Sequence, residues 1–164
     1  MGEAFVEDPK IQQIAAGYAL DAVDFAQRFN LSLDWSDSSV AHVETILAAL
    51  HKGAIDAKPT DEQVLVMAKV LGSYVGEVFR RNHGATWGMV DLEGQSFPGL
   101  KASGPAGLFW PWGRVQNRIR NGPQDNVWQY YRHLVEKSGA APPSPPAGHE
   151  KASWWRRLLG RRPG

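Results

Sequence analysis

The densest group of titratable side chains in this sequence is Glu77, Arg80, Arg81 and His83. Glu77 and Arg81 stand four residues apart, the spacing that pairs opposite charges on one helical face. Arg80, Arg81 and His83 fall where cations oppose the negative end of a helix dipole. A catalytic alternative makes Glu77 or His83 an acid–base group, which requires a shifted pKa and a cleft. Arg114, Arg118 and Arg120 follow Trp110 and Trp112 closely. Arginine beside a ring can stack on a base or grip a phosphate; it can equally form a solvated face over buried tryptophans. Arg114 and Arg118 share a helical face, and Asp125 is placed to oppose a helix dipole or to hold one of these arginines.

Other signatures of chemistry are missing from the sequence. His42, His51, His83, His133 and His149 form no His-x-x-x-His or His-Glu-x-x-His spacing, so a metal would need ligands gathered by the fold. There is no glycine-rich phosphate cradle and no Gly-x-Ser-x-Gly elbow. The absence of cysteine excludes disulfides and thiol nucleophiles. These observations predict no catalytic residue, no cofactor and no metal, and favour Glu77, Arg81, His83, Trp110, Arg114 and Arg118 as a binding surface. Trp, Tyr and Arg dominate interface hot spots, and seven tryptophans are many for 164 residues.

The net charge of +1 hides an asymmetry. Residues 1–138 carry 13 Lys or Arg against 16 Asp or Glu, whereas residues 139–164 carry five basic residues and one acidic. An acidic body argues against dedicated nucleic-acid binding. In the basic end, Trp154, Trp155, Leu158 and Leu159 fit one side of a short helix, with Arg156, Arg157, Arg161 and Arg162 flanking it. Indoles favour the lipid headgroup level and basic residues are drawn to anionic lipid, so weak membrane contact is one expectation for this tail and docking onto a protein another. No apolar run approaches the length of a spanning helix, and no secretory leader opens the sequence. The expected location is cytoplasmic, with peripheral attachment at the inner membrane face as a variant.

The elements that must position these residues follow from periodicity and punctuation. Asp8 and Pro9 start a first helix, with Ile11, Ile14, Ala15, Tyr18, Ala22, Phe25 and Phe29 as its apolar stripe. Ser36 caps a second, with Val40, Val43, Ile46, Leu47 and Leu50 on one face and Gly53 as its end. Thr60 and Gln63 fit a capping box opening a third, which buries Val64, Ala68, Leu71, Val75 and Val78 and stops at Asn82-His83-Gly84. The row Ala68, Gly72, Gly76 suggests a close approach by another backbone. The segments Ala85 to Leu92, about Phe97 to Ala102 and Leu108 to Trp110 read as a three-stranded meander, with Pro98 best placed at an edge. A helix from Pro111 carries Trp112, Val115 and Ile119 inward and breaks at Asn121-Gly122-Pro123. The last runs from about Pro123 to Lys137. Trp87, Trp112 and Trp128 fall near apolar stripes and read as mainly core.

Leu33-Asp34-Trp35-Ser36, the run Leu71 to Val78 with Arg81, Gly84 to Trp87, Pro111 with Val115, Arg118 and Asn121-Gly122, and Tyr130-Tyr131 recur in an order that resembles a family of bacterial domains of unknown function, over about residues 34–131. The resemblance implies an α+β domain and supplies no catalytic residues. The expected organisation is a single α+β domain over 1–138, a Pro/Ala/Gly-rich linker over 139–152 and a disordered basic Trp-containing tail over 153–164. The expected function is a non-enzymatic protein-binding or accessory module of a bacterial cell, regulatory or toxin-neutralising by analogy. The alternatives are a small enzyme with an acid–base site around Glu77 and His83, and a peripheral membrane protein held by its tail.

Overall fold

The computed structural model describes residues 4–146. Its architecture is α+β: five helices and one antiparallel sheet of four strands, in the order β1 (Ala4–Glu7), α1 (Pro9–Gln27), α2 (Val40–Ala57), α3 (Asp61–His83), β2 (Ala85–Leu92), β3 (Gln95–Ala102), β4 (Leu108–Phe109), α4 (Pro111–Asn121) and α5 (Val127–Lys137). Single 3-10 turns at Asp37–Ser39 and Pro123–Asp125 lead into α2 and α5.

The sheet has one strand more than the sequence pattern predicts. Residues Ala4–Glu7 pair antiparallel with β2, Phe5 opposite Val90 and Val6 opposite Met89. Four residues on an edge, mostly exposed, give no hydrophobic alternation for the sequence to display. β2 and β3 form a hairpin closed by Glu93-Gly94, both at positive φ, the left-handed geometry that matches strand twist. β4 covers only Leu100 and Lys101 of β3, so Pro98 lies where β3 has no outer neighbour and its missing N–H costs no ladder bond.

α3 is the central element, with an unbroken run from Val70 to Phe79 buried. Its start is the expected capping box: Thr60 Oγ1 accepts from the Gln63 amide at 3.1 Å while Gln63 Oε1 accepts from the Thr60 amide at 2.9 Å. The Gly72 and Gly76 row receives close neighbours. A methyl built on Gly72 would stand 2.9 Å from the Pro111 carbonyl oxygen and from Trp112 Cα, and one on Gly76 would enter the Trp87 ring. One glycine admits the backbone of α4, the other an indole from the sheet.

Three helical readings shift. α1 buries Ala15, Ala19, Ala22 and Ala26 completely, whereas Ile14 is 47% exposed. The small residues let α1 lie close on α3 and push the larger ones to the flanks, and Phe29 falls beyond the helix. Ser36 caps the 3-10 turn, accepting from the Ser39 amide at 3.2 Å. α2 runs through Gly53 to Ala57 and ends at Lys58 in the left-handed region; a side chain at Gly53 would meet open space. α5 begins at Val127, because Pro123–Asp125 is occupied by the 3-10 turn and Asn126 is the cap that accepts from the Gln129 amide.

Beyond α5, Arg132 Nε donates to the Pro143 carbonyl at 3.0 Å and Ser38 Oγ to the Ser144 carbonyl at 2.7 Å. The first part of the proline-rich segment thus runs back toward the start of α2. The tail residues Trp154, Trp155, Arg156, Arg157, Leu158 and Leu159 lie outside the described residues. No helix among the described residues is long and apolar enough to cross a membrane.

Candidate functional site

Glu77 is fully buried, and its partner is Arg80, at 2.6 Å from Nε and 3.3 Å from Nη2, in place of the expected Arg81. The Trp87 indole N–H donates to the same carboxylate at 3.1 Å. One turn earlier the Trp112 indole N–H donates to Ser73 Oγ at 2.8 Å. Ser73 and Glu77, one turn apart on α3, are therefore acceptors for the Trp112 and Trp87 indoles. The carboxylate raises the Arg80 pKa through its hydrogen bond, as a partnered cation should respond.

Arg81 points the other way and stacks on Trp35, 3.7 Å from the ring centroid. His83 Nε2 lies 2.9 Å from Asp37 Oδ2. Asp37 Oδ1 accepts from Asn82 Nδ2 at 3.0 Å and from the Tyr131 hydroxyl at 2.5 Å. The Trp35 amide donates to the Tyr74 oxygen at 2.9 Å, and Tyr74 meets Ser39 Oγ at 2.7 Å. Burial pushes Tyr74 up to about 12 and pushes Tyr131 up further, with the Asp37 carboxylate adding to the latter. Ser36 donates to Asp34 at 2.6 Å and lowers its pKa. Trp35 has a φ of +69°, rare for a bulky residue; its amide donates to Tyr74, its carbonyl accepts from Asn82 Nδ2 at 3.0 Å, and Arg81 stacks on its ring, and these contacts hold it there. This network rivets the loop between α1 and α2 onto the end of α3. Glu77 and His83 are both close to α3's end, but they serve different networks. Asp37, the hub, is a residue that sequence reasoning missed; its acidic type at the start of a capped turn is the only local signal.

Arg118 also departs from expectation. Only 3% of it is exposed, and its Nε donates to Glu44 Oε1 at 2.7 Å. Glu44 Oε2 accepts from the Val127 amide at 2.8 Å. Arg118 therefore fastens α4 to α2 and α5 and is no part of a binding surface. The shared face predicted for Arg114 and Arg118 is split because α2 covers its inner half. Arg120 turns outward to pair with Asp61.

Arg114 and Trp110 stay at the surface. Arg114 lies over the Tyr130 ring, 4.3 Å from its centroid, with Asp125 Oδ1 at 3.4 Å from Nη1. Burial pushes Tyr130 up to about 12, against the lowering influence of Arg114. Gly113, Arg114, Asn117, Asp125 and Tyr130 surround a polar cleft with Trp110 on one side. Trp110 and Gly113 also line an apolar groove of about 360 Å³ whose other walls include Leu65, Leu92, Phe97, Pro98 and Trp112. Leu65, Leu92 and Phe97 are 37, 38 and 40% exposed. The groove exists because β4 is too short to cover β3 beyond Leu100, leaving a gap between the hairpin tip, α3 and α4. Trp87 is core, while Trp112 and Trp128 are half-buried. A second apolar groove, about 310 Å³, lies between α2 and α3 and is lined by Leu50, Ala54, Ala57, Val64, Met67 and Ile119.

Of the residues expected to form a surface, Trp110 and Arg114 lie at these concavities. Sequence reasoning missed Leu65, Leu92 and Phe97, since an apolar residue on a stripe or a strand carries no mark of being left uncovered. Comparison with protein-family models, curated proteins and solved structures finds no match to this chain.

Proposed function

We propose that this chain is a non-enzymatic module that binds another protein through the Trp110–Trp112 groove. The observation that carries the proposal is the groove itself: two half-buried indoles and Leu65, Leu92, Phe97 and Pro98 form one apolar concavity open to solvent. Leaving such a surface wet forgoes roughly 25 cal/mol for every Å² that an occupant would cover, and aromatic side chains in a concave site are the usual anchors of an interface. The acid–base alternative draws less support. Glu77 is spent on Arg80 and Trp87, His83 on Asp37, and neither lines the groove or the adjoining cleft. The proposed setting is the cytoplasm of a bacterial cell, in a regulatory or toxin-neutralising role by analogy with other small accessory proteins.

The test is capture from native lysate by the intact protein and by two variants. Phe97→Asp places a charge in the groove, and Leu20→Asp places one on an exposed position of α1. Proteins captured by wild type and by Leu20→Asp, but lost with Phe97→Asp, are the expected result. Identical capture by all three refutes the assignment.

A further inference from the structure

The apolar groove and the polar cleft meet at Trp110 and Gly113, so one occupant can touch both. The charge around their junction specifies its chemistry. Lys69 stands one turn beyond Leu65 on α3, 5.7 Å from the Trp112 ring centroid, and among the described residues it belongs to no ion pair. Arg114 lies over the Tyr130 ring, 4.3 Å from its centroid, and touches Asp125 through one nitrogen at 3.4 Å. A guanidinium pinned on a ring presents its remaining N–H edge at little entropic cost. Asn117, one turn further on α4, adds an amide to the same cleft.

The acids nearby are placed differently. Asp125 is shared between Arg114 and Asn121 Nδ2. Asp91 accepts from Ser96, and Glu93 stands exposed at the hairpin tip; both are next to Leu92, at the far end of the groove from Arg114. The α4 end thus carries Lys69 and Arg114 against the one carboxylate of Asp125, whereas the hairpin end carries Asp91 and Glu93. The chain's own basic tail, with Arg156, Arg157, Arg161 and Arg162, has the wrong sign for the α4 end.

Resting on the docking role above, we propose that the occupant is an acidic segment of a partner protein, its apolar side chains seated between Phe97, Leu92 and the two indoles and its carboxylates reaching Lys69 and Arg114. Apolar burial anchors such a segment, and the two cations select its sign and register.

The test uses the full chain, immobilised, to select from a random dodecapeptide display library, in parallel with Phe97→Asp, Lys69→Gln and Arg114→Gln. Asn117→Asp is included because it adds a carboxylate to the cleft without touching the Arg114–Tyr130 stack. Thermal unfolding of each variant establishes that it is folded. The wild-type pool should be enriched in Asp and Glu together with Leu, Phe or Trp. A peptide from it should bind about tenfold more weakly to Arg114→Gln, Lys69→Gln and Asn117→Asp, and not at all to Phe97→Asp. A pool selected through Phe97 but neutral or basic overturns the acidic assignment and leaves groove docking standing. Enrichment that Phe97→Asp retains overturns groove docking as well. A synthetic peptide of residues 150–164 that binds more tightly than the selected peptides makes the tail the occupant and refutes the proposal. So does concentration-dependent dimerisation abolished by Phe97→Asp, which makes a second copy the occupant.

Discussion

Glu77 and Arg118 show what a charged residue does when the fold encloses it. Each has a partner, Glu77 in Arg80 and an indole, Arg118 in Glu44 through Nε, although Arg118 Nη1 is buried without a hydrogen bond. Removing one partner of such a pair strands a desolvated charge, at a cost of about 3–5 kcal/mol for a buried pair. Arg118→Leu should therefore destabilise by about 3 kcal/mol in urea unfolding, far more than Arg114→Gln, where the ion pair is long, half-buried and open to solvent on one side, and worth about 1 kcal/mol or less. Glu77→Gln keeps an acceptor for Trp87 and should cost roughly half of what Glu77→Ala costs, about 1–2 against 3 kcal/mol. Equal losses would show that the charge, not the indole bond, matters at this site. Asp37→Asn tests the other network. It removes the anion facing His83 while keeping an oxygen for Tyr131, and should lower the melting temperature and release the near-ultraviolet dichroism of Trp35.

At the scale of elements, the glycines of the helices separate into two kinds by what surrounds them. Gly72 faces the backbone at Pro111 and Trp112, so Gly72→Ala should overpack the α3–α4 contact and cost about 1–2 kcal/mol despite alanine's better helix propensity. Gly17 and Gly53 face open space inside α1 and α2, so Gly17→Ala and Gly53→Ala should each stabilise by up to about 1 kcal/mol. Denaturant midpoints with unchanged slopes would establish the contrast; a loss at Gly53 would mean that its face is covered. Gly53 was also a misleading stop signal. A lone glycine marks a helix end only when the chain turns left-handed there, and Lys58 takes that conformation at the actual end.

For the whole molecule, two buried tyrosines, Tyr74 and Tyr131, and the half-buried Tyr130 link stability to alkaline pH. Tyr74 and Tyr130 are raised to about 12 from an ordinary 10, and Tyr131 is raised further. A folded-state pKa above the unfolded one means the native state holds the proton longer. Stability is then fully present below about pH 10 and falls as pH climbs toward the folded values, by about 1.4 kcal/mol per pH unit for each such tyrosine. Unfolding free energy should be flat in this respect near neutrality and drop steeply above about pH 10, and tyrosinate absorbance should rise together with unfolding. Absorbance of more than one tyrosinate, among the four tyrosines of the chain, near pH 10 with the fold intact would contradict the enclosure of these rings.

The α+β class, the capping box of α3, the long hairpin and the closeness implied by Gly72 and Gly76 are legible in the sequence because they rest on local periodicity, caps and turns, which act between residues a few positions apart. Trp110 and Arg114 were legible as surface candidates from residue type. The fourth strand was decided by tertiary structure, since Ala4–Glu7 becomes a strand only beside β2. So was the enclosure of Arg118, which α2 brings about through Glu44, 74 positions away along the chain. The groove was decided in the same way. Leu65, Leu92 and Phe97 look like ordinary core residues, and whether such a residue is covered depends on β4 ending after two residues, a property of how distant segments meet rather than of any stretch of the chain.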